Sequence, residues 1–222
     1  GRLDVPDHES LWGLLIPIRR AFDQYVNLRP VRQFDGVEPR VRLPEGARVD
    51  MVIVRENTEG EYSEIGGRYG RGTPREFALQ ENIFTRIGIE RIARYAFDRA
   101  AERRGQVTSA TKSNGIIHTM PFWDEVVAEI SSDYPDVSLR KVLIDALAAE
   151  MVHRPHEFDV VVASNLFGDI LSDLAAATVG SLGVAASANL NPERLFPSMF
   201  EPVHGSAPDI AGRGIANPVA AI

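Results

Sequence analysis

The sequence of 222 residues contains no cysteine, and its 24 basic residues are outnumbered by 31 acidic ones. Without thiols there is no disulfide framework, no cysteine nucleophile and no zinc–thiolate site. Any metal must therefore be held by oxygen or imidazole ligands, which favours Mg²⁺ or Mn²⁺. A net charge of -7 argues against nucleic-acid binding, because contacts to phosphates need a basic surface. An anionic ligand would have to be captured by locally placed cations.

Long apolar segments are also lacking. No stretch approaches the roughly 18 consecutive apolar residues that cross a membrane, and residues 1–9 lack the charged-then-apolar order of a signal peptide. We therefore predict no membrane association and a cytoplasmic location. With 44% hydrophobic residues, the chain can bury a substantial core.

The common nucleotide-binding signatures are missing as well. There is no phosphate-binding loop with the order Gly-Lys-Ser/Thr, and no Gly-x-Gly-x-x-Gly follows a strand. Residues 212–217 come nearest, but they end in asparagine and follow no obvious strand, which is typical of a turn. These absences argue against an ordinary Rossmann fold.

Apolar strands alternate with helical segments along the sequence, and this order predicts an α/β fold with a mainly parallel central sheet. Helical spacing of apolar residues runs from Ile92 to Ala101 and ends in a basic turn followed by Gly105. The glycine- and arginine-rich residues 65–74 are predicted to form an exposed loop or projecting arm. The other predicted elements are strands over 49–54, 107–110, 137–144 and 159–163, and helices over 121–131 and 145–151.

Two acidic residues, Asp169 and Asp173, lie four positions apart in a predicted helix after an apolar strand. Residues with this spacing are neighbours, with roughly 5–6 Å between their Cβ atoms, so the carboxylates either repel each other or share a cation. The alternative is a solvated first helical turn whose acids face the helix dipole. Both interpretations are open from the sequence.

Residues 201–210 form a second candidate site, because they combine turn residues, an imidazole, small residues and a carboxylate. Small residues let backbone amides approach a ligand, and a carboxylate can accept hydrogen bonds from ribose hydroxyls. The same composition also describes a simple proline and glycine turn. The residue types alone leave the two interpretations equally weighted.

Five motifs together resemble those of the metal-dependent β-decarboxylating dehydrogenases, the family of isocitrate and isopropylmalate dehydrogenases. They are residues 27–30, 54–62, 111–115, 165–173, and 204–210 with 215–218, and they occur in the family order. Residues 10–13 and 187–194 resemble the tartrate/D-malate dehydrogenase branch.

The resemblance implies an isopropylmalate-dehydrogenase-like two-domain α/β fold that is not a Rossmann fold. Residues 25–180 would form the central dimerisation and catalytic domain, and residues 1–24 and 181–222 part of a discontinuous cofactor and substrate domain. Family members extend beyond both ends of this sequence, so a fold truncated at both ends is expected, with unpaired sheet edges.

By the same resemblance, Arg19, Arg29 and Arg55 bind the carboxylates of a small 2-hydroxy diacid, and Asn114 lies beside the substrate and the nicotinamide. Guanidinium groups bind carboxylates bidentately, and each hydrogen bond to a charged group contributes about 1.5–3 kcal/mol. Taken singly, any of these arginines is more often part of a weak surface ion pair, and the asparagine is typical of a turn.

The resemblance also identifies Asp145, Asp169 and Asp173 as ligands of Mg²⁺ or Mn²⁺, with Lys112 as general base and Tyr62 as general acid. In a homodimer, Lys112 and Asp145 would act across the interface in the partner's site. Outside this family context, an isolated lysine is more often a solvated charge and a tyrosine more often a packing residue.

The same family match turns the loop after residue 200 into a predicted site for NAD, and a requirement for K⁺ stays open. The predicted cofactor-binding residues are Glu201, His204, Gly205, Ser206, Ala207, Asp209 and Asn217. A carboxylate at position 209 accepts hydrogen bonds from ribose hydroxyls but repels a 2′-phosphate, which favours NAD over NADP.

Trp12, Leu15 and Ile16 occupy the positions that contact the isopropyl group in isopropylmalate dehydrogenases. A tryptophan there is expected to narrow the pocket and favour tartrate or D-malate, the latter with decarboxylation. The alternatives are an isopropylmalate dehydrogenase with a variant pocket and a non-catalytic subunit of this family. Retention of Lys112 and Tyr62 argues against the subunit, since binding alone does not need them.

Overall fold

The computed structural model describes residues 4–180 and 182–221, which build an α/β structure around a seven-stranded sheet. The strands are β1 (Val26–Arg32), β2 (Asp50–Glu56), β3 (Gly66–Tyr69), β4 (Phe77–Gln80), β5 (Gln106–Thr111), β6 (Ser138–Leu143), β7 (Val160–Ala163), β8 (Ala186–Leu190) and β9 (Met199–Pro202). The order in the large sheet is β6-β5-β7-β2-β1-β8-β9. Strands β6, β5, β7 and β2 are parallel, as predicted, and β1, β8 and β9 extend the sheet by antiparallel pairing.

The helices pack on the sheet, and the predicted helices are all present. They are α1 (Asp7–Ser10), α2 (Ile16–Ala21), α3 (Arg86–Ala101), α4 (Thr119–Ser131), α5 (Ile144–His153) and α6 (Asn165–Val179), and a π-helical turn, Leu11–Leu15, joins the first two. Helix α4 begins two residues earlier than predicted, because Pro121 is tolerated in a first turn whose amides need no helical partner. None of the helices in the described ranges is long and apolar enough to cross a membrane.

The core forms where α3 packs on the parallel strands. The predicted apolar face of α3, including Ile92, Ala96 and Phe97, is fully buried against β2, β5 and β7. Thr85 caps this helix by accepting a hydrogen bond from the Gly88 amide at 3.0 Å. The core thus fixes the position of β2, and the last residues of this strand include Arg55 of the candidate site.

The predicted projecting arm is present as an antiparallel hairpin of β3 and β4, separate from the large sheet. Its residues are exposed, and the rings of Tyr69 and Phe77 stack with centroids 5.1 Å apart. The prediction of an exposed arm is confirmed, although the segment is a paired hairpin and not a loop. The predicted division into residues 25–180 and the flanking segments stays a prediction.

Glu56, at the end of β2, is a buried carboxylate that makes folding depend on pH. It accepts hydrogen bonds from the amides of Thr58 and Glu59, and the Arg91 guanidinium lies 3.9 Å away. Burial raises the pKa of Glu56 from 4.5 to about 7. The folded protein therefore holds this proton more tightly than the unfolded chain.

We expect the free energy of unfolding to fall by about 3 kcal/mol through Glu56 as the pH rises from 4.5 to 7. The stabilisation is present below the unfolded pKa and lost as the pH passes the folded one. Urea unfolding at several pH values should show that Glu56→Gln removes this slope, whereas Glu45→Gln, at an exposed position, keeps it. An unchanged slope in Glu56→Gln would refute the assignment.

Candidate functional site

A cavity of about 840 Å³ lies between α1 and α2, the ends of β1 and β2, α6 and the segment after β9. Its apolar wall comes from the first helices, including Leu11, Leu14 and Leu15. Its polar wall brings together much of the predicted site, namely Arg19, Arg29, Arg55, Tyr62, Asp169, Asp173, Glu201, His204, Gly205 and Ser206.

Strand register explains why two arginines meet in this cavity. In the antiparallel β1–β2 ladder Asn27 is opposite Arg55 and Arg29 is opposite Ile53, so both arginines project from the same face of the sheet. Helix α6 covers this face closely, because a Cβ at Gly168 would lie only 2.6 Å from Arg55 Cβ. The glycine lets the helix place its carboxylates against both guanidinium groups.

Asp169 is the centre of this polar wall. It accepts hydrogen bonds from Arg29 at 3.1 Å, from the Tyr62 hydroxyl at 2.9 Å, and from Arg55. Burial alone would raise the pKa of Asp169, but the charges of Arg55 and Arg29 hold it below its ordinary value. Asp169 is therefore ionised at neutral pH.

Asp173 lies one helical turn further along α6, with its carboxylate 3.7 Å from the Arg29 guanidinium and about half exposed. Burial raises the pKa of Asp173, an effect that the charge of Arg29 opposes. Because α6 begins at Asn165, neither acid is in its first turn. The alternative of a solvated N-terminal turn is therefore wrong, and the two carboxylates share one face that is turned to the cavity.

Tyr62 reaches Asp169 from the loop after β2. Burial, the charge of Asp169 and the hydrogen bond to it raise the pKa of Tyr62 to about 12, so the hydroxyl keeps its proton at neutral pH. The adjacent Glu61 accepts hydrogen bonds from Ser164 Oγ at 2.6 Å and from the Leu166 amide at 3.0 Å. These contacts attach the loop to the N-terminus of α6, close to Asp169, which accepts from the Tyr62 hydroxyl.

The three arginines are almost fully buried, with exposed fractions of 5% for Arg19, 5% for Arg29 and 2% for Arg55. Arg19 donates to Glu201 at 2.9 Å, and Arg55 donates twice to Asn165 at 3.0 and 2.7 Å. Within the described residues, the Nε atoms of Arg19 and Arg29 have no hydrogen-bond partner. Burial and the charge of Arg55 lower the pKa of Arg29 to about 10, which leaves it charged at neutral pH.

Lys112, Asn114 and Asp145 do not line this cavity. Lys112 follows β5 and donates to Asp145, in the first turn of α5, at 2.7 Å. This hydrogen bond lowers the pKa of Asp145, and Asn114 is exposed in the adjacent turn. Within residues 4–180 and 182–221, no cluster of three or more acidic, histidine or cysteine side chains of this chain could hold a metal ion.

The predicted cofactor loop divides into two parts. His204, Gly205 and Ser206 line the cavity, and His204 Nδ1 lies 2.9 Å from the Gly205 carbonyl oxygen. Ala207 has a left-handed backbone with φ of 45° and leads into a short helical turn, Pro208–Ile210. Asp209 and Asn217 lie beyond the cavity lining with exposed side chains.

The predicted role of Trp12 as a wall of the pocket is wrong. Leu15 and Ile16 line the cavity, as predicted, but Trp12 does not. Its ring instead lies beside the Arg20 guanidinium, 5.8 Å from ring centroid to Cζ. The same π-helical turn also contains Leu11, Leu14 and Leu15, and these leucines line the cavity on this side.

Three supporting residues were not identified from the sequence. Glu61 and Asn165 lie inside recognised motifs, but their partners are on other elements. Asn189, which donates to Glu201 at 2.8 Å, lies in the segment 187–194 that resembled one branch of the family. The only signal in the sequence was that resemblance.

The comparisons with known proteins agree over nearly the whole chain. The family model of isocitrate/isopropylmalate dehydrogenase matches residues 4–222. D-malate dehydrogenase [decarboxylating] of Escherichia coli is 59% identical over 219 residues, which is 98% of this chain and 61% of that protein. Tartrate dehydrogenase/decarboxylase of Pseudomonas putida is 59% identical over 220 residues, 98% of this chain and 60% of that protein.

Solved structures give the same result. The crystal structure of isocitrate dehydrogenase from Methylococcus capsulatus superposes with a TM-score of 0.88 at 40% identity, over 99% of this chain and 63% of that one. The chain thus spans about 61% of the length of the curated relatives that it matches.

Proposed function

The chain belongs to the isocitrate/isopropylmalate dehydrogenase family, and from this membership we propose that its enzyme oxidises the 2-hydroxyl group of D-malate or tartrate with NAD. D-malate would also lose CO₂ and yield pyruvate. The high identity to proteins named for these two substrates supports the choice among diacids. The observation that carries the proposal is the convergence of three buried guanidinium groups on one cavity.

A small diacid matches this arginine set. The Nε atoms of Arg19 and Arg29 lack partners among the described residues although both side chains are buried, and such donors are costly unless a ligand satisfies them. A carboxylate accepts bidentately from a guanidinium group. The apolar wall formed by Leu11, Leu15 and their neighbours borders this arginine set.

The charge of the cavity fits a divalent cation together with the diacid. Arg19, Arg29 and Arg55 are balanced by Asp169, Asp173 and Glu201, so a dianionic substrate alone would bring uncompensated negative charge into a buried site. Asp169 and Asp173 would hold Mg²⁺ or Mn²⁺ with Asp145 of a second copy, an all-oxygen donor set that suits these ions. When bound, the ion favours loss of the hydroxyl proton and stabilises the charge left by departing CO₂.

The loop after β9 supplies residues that fit NAD. His204, Gly205 and Ser206 line the cavity next to the arginines. Asp209 and Asn217, which are exposed outside the cavity lining, carry a carboxylate and an amide suited to ribose and adenine. When bound, NAD accepts the hydride that leaves the substrate's C2.

Two side chains would move protons. Tyr62 keeps its hydroxyl proton at neutral pH and would deliver it to the substrate carbon after CO₂ leaves, while Asp169 orients the hydroxyl. Lys112 would take the substrate's hydroxyl proton as general base. Because Lys112 and Asp145 lie together outside the cavity of their own chain, we place them in the site of a second copy.

Exposed apolar side chains support a homodimer. Ile117, close to Lys112, is 70% exposed, and Tyr69, Phe77 and Leu79 of the hairpin arm are about half exposed. Exposed apolar side chains on a projecting hairpin are suited to an interface. A second copy that covers these residues would bring its own Lys112 and Asp145 to the cavity.

The proposed function is tested by NADH formation with NAD, Mn²⁺ and K⁺, with D-malate, tartrate, 3-isopropylmalate and isocitrate offered separately. We expect turnover of D-malate or tartrate and little of the two bulkier substrates. Preferred turnover of 3-isopropylmalate would contradict the choice of D-malate or tartrate. Binding of Mn²⁺ and NAD without any turnover would favour the non-catalytic subunit.

A further inference from the structure

Glu201 is connected to the substrate arginines by a path of hydrogen bonds that begins at Asn189. Glu201 Oε1 accepts from Arg19 Nη2 at 2.9 Å and from Asn189 Nδ2 at 2.8 Å. One carboxylate oxygen therefore receives both donors. The position of the Arg19 guanidinium depends on Glu201, and the position of Glu201 depends on Asn189.

The orientation of the Asn189 amide is fully determined by its surroundings. Its side chain is completely buried, and its Oδ1 accepts from Asn27 at 2.9 Å and from Asn57 at 3.0 Å. The Asn57 amide in turn donates to the Gln24 carbonyl oxygen at 2.9 Å. Since a carboxylate only accepts hydrogen bonds, the Asn189 NH₂ group must face Glu201.

Strand register brings these residues together. Asn27 on β1 is opposite Asn189 on β8, and Ser187 on β8 is opposite Glu201 on β9. Directly opposed residues share a face of the sheet, as do residues two apart on one strand. Asn27, Asn189 and Glu201 therefore lie on the same face as Arg55.

Arg19 needs such a support because a neighbouring guanidinium group repels it. The charge of Arg55 acts against a second buried guanidinium in the same cavity, and Glu201 is the carboxylate that hydrogen-bonds to Arg19. Releasing Glu201 from Asn189 would let the carboxylate turn toward solvent. The Arg19 guanidinium would then lose its counter-charge and the hydrogen bond that fixes its orientation.

We propose that Asn189 is a positioning residue that holds Glu201 and thereby aims the Arg19 guanidinium at a carboxylate of the bound diacid. The inference rests on the proposed function and deepens it. It makes Glu201 a support of the substrate arginine, whereas the sequence predicted a cofactor contact. Substrate affinity should then depend on the 187–194 segment although Asn189 does not line the cavity.

The test uses Asn189→Asp and Glu201→Gln in the dimeric enzyme. Asn189→Asp is isosteric, and in its ionised form it still accepts from Asn27 and Asn57 but cannot donate to Glu201 and repels it. Asn191→Asp is the matched control, because Asn191 is buried in the same segment and bonds to Asp23 and Leu195, not to Glu201. Thermal melting identifies any variant that fails to fold.

We expect Asn189→Asp to raise KM for D-malate or tartrate by about 10-fold or more, with KM for NAD changed by less than about 2-fold. Glu201→Gln, which leaves the asparagine cluster intact, should act in the same direction. In an Arg19→Gln background, Glu201→Gln should have little further effect, because both changes remove one interaction. Asn191→Asp should leave both KM values near wild type.

A selective rise in KM for NAD, or additive effects of the Arg19 and Glu201 changes, would overturn the inference. Absence of wild-type turnover would instead contradict the proposed function, and a crystal structure of Asn189→Asp then decides the inference. Loss of the Arg19–Glu201 hydrogen bond in that structure supports the positioning role. An unchanged bond refutes it.

Discussion

Replacement of Lys112 by alanine is expected to lower kcat for D-malate oxidation by about 10²–10⁴-fold, the usual contribution of a general base. The ammonium group bonds to Asp145 on the surface of its own chain, so its removal should not disturb the core. NADH formation at saturating D-malate, NAD and Mn²⁺ measures the effect. Substrate affinity should change less than kcat, because the arginines stay in place.

Lys141 provides the matched control for this prediction. It is the chain's other lysine, lies on β6 and forms a comparable surface ion pair with Asp124 at 3.2 Å. Lys141→Ala should keep near wild-type kcat. A loss below tenfold in Lys112→Ala would show that another group takes the hydroxyl proton.

Substitution of Arg29 by lysine is expected to lower kcat/KM by about 100-fold, mainly through a higher KM for the diacid. Lysine keeps the charge but has no planar fork, so it cannot bond Asp169 through one arm and offer a free Nε to the substrate. The loss of one or two charged hydrogen bonds costs about 3 kcal/mol. Steady-state kinetics with varied D-malate or tartrate gives the measurement.

Arg32→Lys, on the same strand, is the control. Arg32 is exposed and pairs with Asp50 at 3.6 Å, away from the cavity. Its substitution should leave kcat/KM within about twofold of wild type, as is usual for surface ion pairs. If Arg29→Lys also kept kcat/KM near the wild-type value, charge alone, and not bidentate geometry, would capture the substrate.

The parallel part of the fold could be predicted because its elements are local and strongly periodic. The strand Val160–Ala163 and the end of helix Arg86–Ala101 follow the apolar pattern of the sequence, although the helix begins six residues before Ile92. The antiparallel strands β1, β8 and β9 could not be ordered in this way. The pairing of β1 with β8 joins residues more than 150 positions apart, such as Asn27 and Asn189, and no local sequence pattern predicts it.

The parts of the candidate site that could be predicted are those where a charged residue type itself indicates the chemistry. Arg29, Arg55 and Asp169 could be selected as charged groups within motifs, and the structure brings them into direct contact. The residues that support these charged groups could not be predicted in the same way. Asn189 acts through Glu201, and that contact exists only because β8 and β9 pair beside β1.

Helix geometry decided one open alternative and overturned one prediction. The acids of α6 were compatible with a first turn until the helix start at Asn165 placed them in later turns. Trp12 was assigned to the pocket by position, but leucines of the same π-helical turn, and not Trp12, line the cavity. Helix type and start are set by tertiary packing, which a single sequence does not display.

The central claim, a diacid site completed by two copies of the chain, is tested most directly with a mixed dimer. One subunit carries Lys112→Ala and the other Asp173→Asn, each inactive alone as a homodimer. In the purified mixed dimer one cavity combines an intact Asp173 with the partner's Lys112, so about half of the wild-type rate of D-malate or tartrate oxidation is expected. No activity above that of the two parent variants would contradict the shared site.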